Sequence, residues 1–111
     1  KVLKELIQMI PLNEPVLSLY VGEIILNNRI PYMIDPHIVS KLWDKEFFPT
    51  QKIIHELKSG KVKYFISENS YENNTDEIWC DPLRKVLKNN FSIYKTTPKF
   101  NLYKYQKEVL N

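Results

Sequence analysis

The sequence predicts an α/β fold, specifically a small three-layer α/β/α domain with a mixed, partly parallel central sheet and a C-terminal antiparallel hairpin. Short apolar runs rich in β-forming residues alternate with segments of helical periodicity along most of the chain. Two runs near the C-terminus are instead joined by a short Thr97-Pro98-Lys99 connection, which is typical of a hairpin. No composition break or linker divides the 111 residues, so residues 1–111 are expected to form a single domain.

The stretch from Pro15 to Pro36 is the one around which the predicted sheet is built. It opens with the apolar run Val16 to Val21, which is typical of a strand covered on both faces. Gly22 allows a sharp change of direction, and the residues EIILNN after it are long enough for about two helical turns. A second strand is predicted at Tyr32 to Ile34, ending at Asp35-Pro36 because proline cannot donate to a strand ladder.

Helices are predicted before and after this stretch. Lys1 to Ile10 carries an apolar stripe at helical spacing and is followed by a proline. The segment HIVSKLWDKEFF is weakly helical, and Thr50 is the predicted N-cap of a clearer helix that stops at Gly60. Lys61 to Ser67 is predicted to be an inner or near-inner strand.

The second half of the chain begins with a predicted polar loop from Ser67 to Glu77, with Ile78 to Cys80 as a short strand or packed return. Asp81 is the predicted N-cap of a helix with proline at its first position, and the two asparagines at 89–90 end it. The hairpin strands are predicted at Phe91 to Thr96 and Phe100 to Tyr105.

Composition excludes several classes of protein. With 43% hydrophobic and 26% charged residues the chain is neither disordered nor fibrous, and its net charge of +3 is too small to indicate a dedicated nucleic-acid partner. Cys80 is the only cysteine, so no internal disulfide or cysteine-based metal cluster forms. No apolar run reaches the roughly 20 residues of a membrane span. The chain begins at Lys1 rather than methionine, which predicts a piece excised from a larger protein.

Few residues carry a recognisable chemistry. His55 falls on the polar side of its helix and is expected to be a solvated surface residue. His37 follows a predicted strand end, where active sites of open α/β sheets lie, although a helix-start role is favoured. Asp35 with Glu56 and Lys58 superficially matches a metal-dependent nuclease pattern, but the last two fall on a helix rather than a strand, so the match is interpreted as accidental.

Two surface patterns have ordinary explanations beside the functional ones. Lysines and tyrosines interleave from Tyr94 to Lys107, as in proteins that hold single-stranded nucleic acid, but a strand with lysines on its wet face gives the same pattern. Asn73 and Asn90 begin formal N-glycosylation sequons, which are weak evidence of an exterior location in so asparagine-rich a chain.

Several stretches, in order, resemble a known family. PVLSLYVG, NNRIPYMIDP, a segment containing tryptophan, HELKSGKVKYFIS and the closing SIYKTTPKFNLYKYQK are similar to the soluble C-terminal domain of GT-C membrane glycosyltransferases. These are the dolichyl-phosphate-mannose–protein mannosyltransferase-like proteins. Arg29, Pro31, Tyr32 and Asp35 match the family's arginine, proline and aspartate pattern after the first strand.

The resemblance implies a non-catalytic domain on the extracytoplasmic face of a polytopic parent that transfers sugar from a polyprenyl-phosphate donor. The family's catalytic acidic residue lies elsewhere in the parent, so no catalytic residue, metal ligand or cofactor is expected here. The expected partners are the rest of the parent and a glycan or protein acceptor, with Arg29, Tyr32, Asp35 and His37 as candidate binding residues. The alternative is a free cytoplasmic α/β domain that weakly binds nucleotide or nucleic acid through surface lysines; a metal nuclease is the weakest hypothesis.

Overall fold

The computed structural model describes residues 2–33, 35–68 and 79–107 of the chain, which form five helices and one five-stranded sheet. The elements in chain order are α1 Val2–Gln8, β1 Pro15–Ser18, α2 Val21–Leu26, β2 Ile30–Pro31, α3 Pro36–Leu42, α4 Thr50–Lys58, β3 Tyr64–Glu68, α5 Asp81–Asn90, β4 Phe91–Thr96 and β5 Phe100–Tyr105.

The sheet is mixed, with the strand order β2-β1-β3-β5-β4. β1 lies parallel to both β2 and β3, whereas β5 lies antiparallel to β3 and to β4. The predicted α/β class, with its partly parallel sheet and its antiparallel hairpin, is therefore confirmed. Both hairpin strands have the predicted bounds, because the turn between them is fixed locally: the Thr97 hydroxyl donates to the Phe100 carbonyl and accepts from its N–H.

Successive residues of the central strands point to opposite faces and belong to two different hydrophobic clusters. One cluster contains α1, α2 and strand residues: Leu3, Leu6, Ile7, Ile10, Val16, Ile24, Tyr64, Ile66 and Leu102. The other contains residues of α4 and α5, the intervening strand positions and the loop residues Val62 and Trp79: Leu17, Ile53, Leu57, Val62, Phe65, Trp79, Leu83, Val86, Leu87, Phe91 and Tyr103. Each cluster thus draws its helical members from different helices, while the three-layer arrangement itself stays a prediction.

The first strand is shorter than predicted, because a local hydrogen bond ends it. The Ser18 hydroxyl accepts from the N–H of Tyr20, an interaction that competes with strand pairing. α2 then begins at Val21, so Gly22 lies inside a helix rather than at a sharp turn, and the predicted strand from Val16 to Val21 is corrected to Pro15–Ser18.

The second strand was predicted two residues too late. β2 is Ile30–Pro31, where Pro31 pairs with Val16 at the edge of the sheet, the position in which proline is tolerated. Tyr32 still donates its N–H to the Val16 carbonyl at 2.8 Å, although it lies beyond the strand.

Two predicted helix caps were wrong, whereas the predicted helices themselves are present. Pro49 and Cys80 are the N-cap residues of α4 and α5, and neither helix has a side-chain cap hydrogen bond. Thr50 lies inside α4, and Asp81 lies inside the first turn of α5, where its carboxylate pairs with Arg84.

The helix stop at Gly60 is confirmed, since this residue follows the C-cap of α4 and has a φ of 82°. The loop predicted from Ser67 begins later, because β3 extends to Glu68. The remainder of that loop, Asn73 and Ile78 lie outside the described residues.

Candidate functional site

The carboxyl ends of the parallel strands mark the part of the molecule where a site is expected. β1 lies between β2 and β3 in the sheet. The connections that follow these parallel strands therefore leave their carboxyl ends in different directions. In open α/β sheets ligands bind at such a point. Ser18 ends β1 and Tyr20 follows it, Tyr32 and Asp35 follow β2, and Glu68 ends β3.

Arg29 holds the fold together rather than presenting its charge to solvent. Its Nε donates to the Ile10 carbonyl at 2.7 Å, and its two Nη atoms donate to the carbonyls of Asn27 at 2.9 Å and Gln8 at 3.3 Å. These carbonyls lie at or just beyond the C-terminal ends of α1 and α2, where helices leave acceptors unpaired. The guanidinium therefore joins the ends of the two helices.

Arg29→Met is expected to lower the free energy of unfolding by about 1.5–3 kcal/mol, because charged hydrogen bonds to three carbonyls are lost. The measurement is urea unfolding followed by circular dichroism. Lys88→Met is the matched control, since Lys88 is exposed on α5. Equal stability of Arg29→Met and the native chain would show that the guanidinium does not bind these carbonyls in solution.

Asp35 and His37 lie at the beginning of α3. The Oδ1 atom of Asp35 accepts from the Ile38 N–H at 3.2 Å, and its carbonyl accepts from the Val39 N–H, so Asp35 begins the helix in the manner of an N-cap. His37 lies in the first turn of this helix, which agrees with the favoured helix-start interpretation.

Tyr32 belongs to a short polar chain that links the end of β2 to α4. Its hydroxyl donates to Glu56 Oε1 at 2.5 Å, and Lys61 Nζ lies 3.3 Å from the other carboxylate oxygen. The Tyr32 hydrogen bond is the main cause that lowers the pKa of Glu56, with Lys61 contributing in the same direction. Burial, followed by the Glu56 carboxylate, raises the pKa of Tyr32 above its ordinary value.

These shifts predict a specific pH dependence of stability. The Glu56 contribution is present above its ordinary pKa of 4.5 and is lost as the pH falls through the lower pKa of the folded state. The Tyr32 contribution is complete below pH 10.0 and is lost as the pH rises above that value.

Tyr32→Phe is therefore expected to reduce the loss of stability between pH 5 and pH 3, measured by urea unfolding, whereas Tyr94→Phe at an exposed position leaves it unchanged. An identical acid dependence in the Tyr32→Phe variant and the native chain would contradict the pairing.

The nuclease pattern has no geometric support. Glu56 and Lys58 both lie on α4, whereas a nuclease site would need them on a strand beside Asp35. This placement agrees with the interpretation of the match as accidental. Within residues 2–33, 35–68 and 79–107 no group of three or more histidine, cysteine or acidic side chains is placed to hold a metal ion. His55 is exposed on α4, as predicted.

The sequon at Asn90 falls on a buried side chain. Asn90 is 1% exposed, and its Nδ2 donates to the Val86 carbonyl at 3.0 Å. A glycan on this nitrogen would have to break that hydrogen bond and leave the interior.

A groove of about 590 Å³ lies beside the end of β1, and sequence reasoning missed it. It is bounded by the first residues of α1, the start of α2 and the turn between β4 and β5, with these lining residues: Val2, Leu3, Lys4, Tyr20, Glu23, Pro98, Lys99 and Phe100. The Tyr20 and Phe100 rings meet edge to face with 5.3 Å between centroids. The lining is mostly apolar, with Lys4, Lys99 and Glu23 supplying charges of both signs.

Tyr20 is held in place at this groove by the end of β3. Its hydroxyl donates to Glu68 Oε1 at 2.8 Å. Burial, together with this carboxylate, raises the pKa of Tyr20 to about 12, so the ring stays neutral and donates at physiological pH. The groove can therefore hold the apolar face of a ligand against an aromatic pair while charged groups contact its polar edge.

The fold and the groove define a small α/β domain with a mixed sheet and a ligand-sized groove beside its first parallel strand. Comparisons of the chain with protein families, with curated protein sequences and with solved structures found no match. In the described part of the chain, the helices are too short or too polar to cross a membrane.

Proposed function

We propose that this chain is a non-catalytic accessory domain of a polytopic membrane protein that resembles the polyprenyl-phosphate-sugar-dependent glycosyltransferases. On this proposal it lies on the extracytoplasmic face of the membrane and helps its parent to bind the acceptor, a glycan or a protein. The alternative is a free soluble domain that binds nucleotide or nucleic acid weakly. The experiments below distinguish it from the accessory domain.

One observation carries the proposal: the polar residues that the family resemblance singles out are used to hold the fold. Arg29 binds three backbone carbonyls, Asp35 accepts from the start of α3, and Tyr32 binds Glu56. A reactive centre needs groups positioned toward a substrate, whereas these are directed at the chain itself. This use of the polar residues supports a structural role over a catalytic one.

The groove beside Tyr20 and Phe100 supports acceptor binding as the accessory role. An aromatic pair with lysine and glutamate at the rim suits a ligand that has an apolar face and hydrogen-bonding edges, as sugars and peptides both have. The groove also lies at the end of β1, where the sheet topology favours ligand binding.

The first experiment is to read the gene upstream of Lys1. Several apolar spans of about 20 residues each support a membrane-anchored parent. An upstream region without such spans would remove the proposal and favour the free soluble domain.

The second experiment measures sugar transfer by the full-length parent carrying Phe100→Leu, which keeps an apolar side chain but removes one ring of the aromatic pair. We expect the KM for acceptor to rise about two- to tenfold, with kcat unchanged, because the chemistry occurs elsewhere in the parent. Phe47→Leu is the matched control, since Phe47 is 78% exposed and does not line the groove. A fall in kcat at unchanged KM would contradict an accessory binding role.

A further inference from the structure

The positive charge of the chain is concentrated in its C-terminal hairpin. Residues 91–107 contain four lysines and no acidic residue, so this segment carries +4, whereas the whole chain carries +3. The remaining residues together carry a net charge of −1. Such an asymmetry produces a local positive potential that the small net charge of the whole chain conceals.

The lysines of the hairpin strands share one side of the sheet with an exposed tyrosine. Lys95 lies opposite Leu102, which packs into the same cluster as α1. Leu102 and Lys104 are two positions apart on β5 and therefore point to the same face, so Lys95 and Lys104 lie on one side of the sheet. Lys104 lies opposite Ser92. The Lys104 ammonium lies 5.3 Å from the centre of the Tyr94 ring. At the turn, the Lys99 ammonium lies 5.4 Å from the centre of the Phe100 ring. We call Lys95, Lys99, Lys104 and Tyr94 the basic face of the hairpin.

β4 is also the less protected edge of the sheet. The other edge, β2, has two residues including a proline, whereas β4 has six residues, of which only Phe91 is buried. Ile93 and Tyr94 are 59% and 53% exposed, and a register shift between Ile93 and Lys95 makes this edge irregular. A β-bulge and a lysine are features that discourage pairing with another strand. The edge therefore presents an exposed tyrosine next to cations on one face and Ile93 on the other face, where it lies opposite Tyr103. It is not suited to extend the sheet.

We propose that the basic face of the hairpin docks on an anionic lipid bilayer. This inference rests on the proposed function in one respect, which is that a membrane lies near the domain. The lysine ammonium groups contact lipid phosphates, and Tyr94 lies at the level of the headgroups, where amphipathic rings are favoured. The open backbone edge of β4 stays hydrated in the headgroup region, so no unpaired peptide group enters hydrocarbon.

A bilayer fits this surface better than a single-stranded nucleic acid does. Bases stack on open aromatic faces, whereas the ring of Tyr94, the aromatic residue of the basic face, has the Lys104 ammonium above it. A planar array of phosphates requires only that the cations lie on one accessible side of the sheet. The cations of both strands meet that requirement.

The test is co-flotation of the 111-residue chain with vesicles of phosphatidylcholine alone or of phosphatidylcholine with about one quarter phosphatidylglycerol. We expect partition onto the anionic vesicles only, decreasing as salt is added. Each lysine near an anionic surface contributes about fivefold, so Lys95→Gln with Lys104→Gln should weaken partition about thirtyfold. Lys85→Gln with Lys88→Gln removes the same charge from exposed positions of α5 and should have little effect.

Several results would overturn the docking proposal. These are no partition of the native chain at millimolar lipid, equal partition onto neutral vesicles, or equal losses in the two double variants. Tighter binding of a single-stranded oligonucleotide than of anionic vesicles would assign the basic face to nucleic acid. A dimer that Ile93→Lys dissociates, without vesicle binding, would assign the edge to a second copy of the chain.

Inorganic phosphate added to the flotation should not compete at low millimolar concentration, because docking depends on a surface rather than on one bound anion. An upstream gene without membrane spans would remove the proposed function but leave the vesicle result unchanged.

Discussion

Phe65→Ala is expected to lower the free energy of unfolding by about 3–5 kcal/mol, the largest effect of any substitution considered. Phe65 is the second residue of β3, the central strand of the sheet, and is 0% exposed. Its ring lies 5.1 Å from that of Tyr103, 5.4 Å from that of Trp79 and 6.2 Å from that of Phe91. Alanine would leave a cavity at the centre of the cluster that joins the sheet to α4 and α5.

The measurement is equilibrium unfolding in urea, with Phe47→Ala as the control. Phe47 is 78% exposed, so its loss should change stability by no more than about 0.5 kcal/mol. A Phe65→Ala variant as stable as Phe47→Ala would contradict the position of Phe65 in the core and, with it, the strand register of the sheet.

Gly60→Ala is expected to destabilise the fold by about 2–3 kcal/mol, for two independent reasons. Gly60 has a φ of 82°, which residues with a Cβ atom adopt only with strain. A Cβ at this position would also lie 2.8 Å from the Cε2 atom of Tyr105. The Tyr105 ring is held in place because its hydroxyl donates to the Lys58 carbonyl at the end of α4.

Gly22→Ala is the matched control, and the sign of its effect should be opposite. Gly22 lies within α2, and a Cβ there meets no atom within 4 Å. Alanine at a helical position is favoured over glycine by roughly 0.5–1 kcal/mol, so this variant should be stabilised. Thermal unfolding of both variants distinguishes the outcomes, and a destabilised Gly22→Ala would contradict the position of Gly22 within α2.

The sequence predicts those parts of the fold that nearby residues determine. The hairpin bounds depend on Thr97 and on the alternating residues around it, and the stop of α4 depends on Gly60 alone. Errors arise where another hydrogen bond competes with the local pattern. The Ser18 hydroxyl ends β1 before its apolar run is complete, and β2 pairs through Ile30 and Pro31 at the edge of the sheet, where proline is tolerated.

The candidate site could be predicted less well, because it depends on contacts between distant residues. Tyr20 and Glu68 are 48 positions apart, and the groove places the first residues of α1 beside the turn before β5. No local pattern indicates these approaches. Arg29 was identified as a notable residue from the sequence, but its carbonyl partners, which give it a structural role, become visible only when the helix ends lie side by side.

The most direct test of the proposed role is to detect the native protein in fractionated cells with an antibody raised against this 111-residue chain. A domain of a polytopic membrane protein should give a band well above 13.3 kDa that remains in carbonate-washed membranes. A band near 13.3 kDa in the soluble fraction would contradict the accessory-domain proposal.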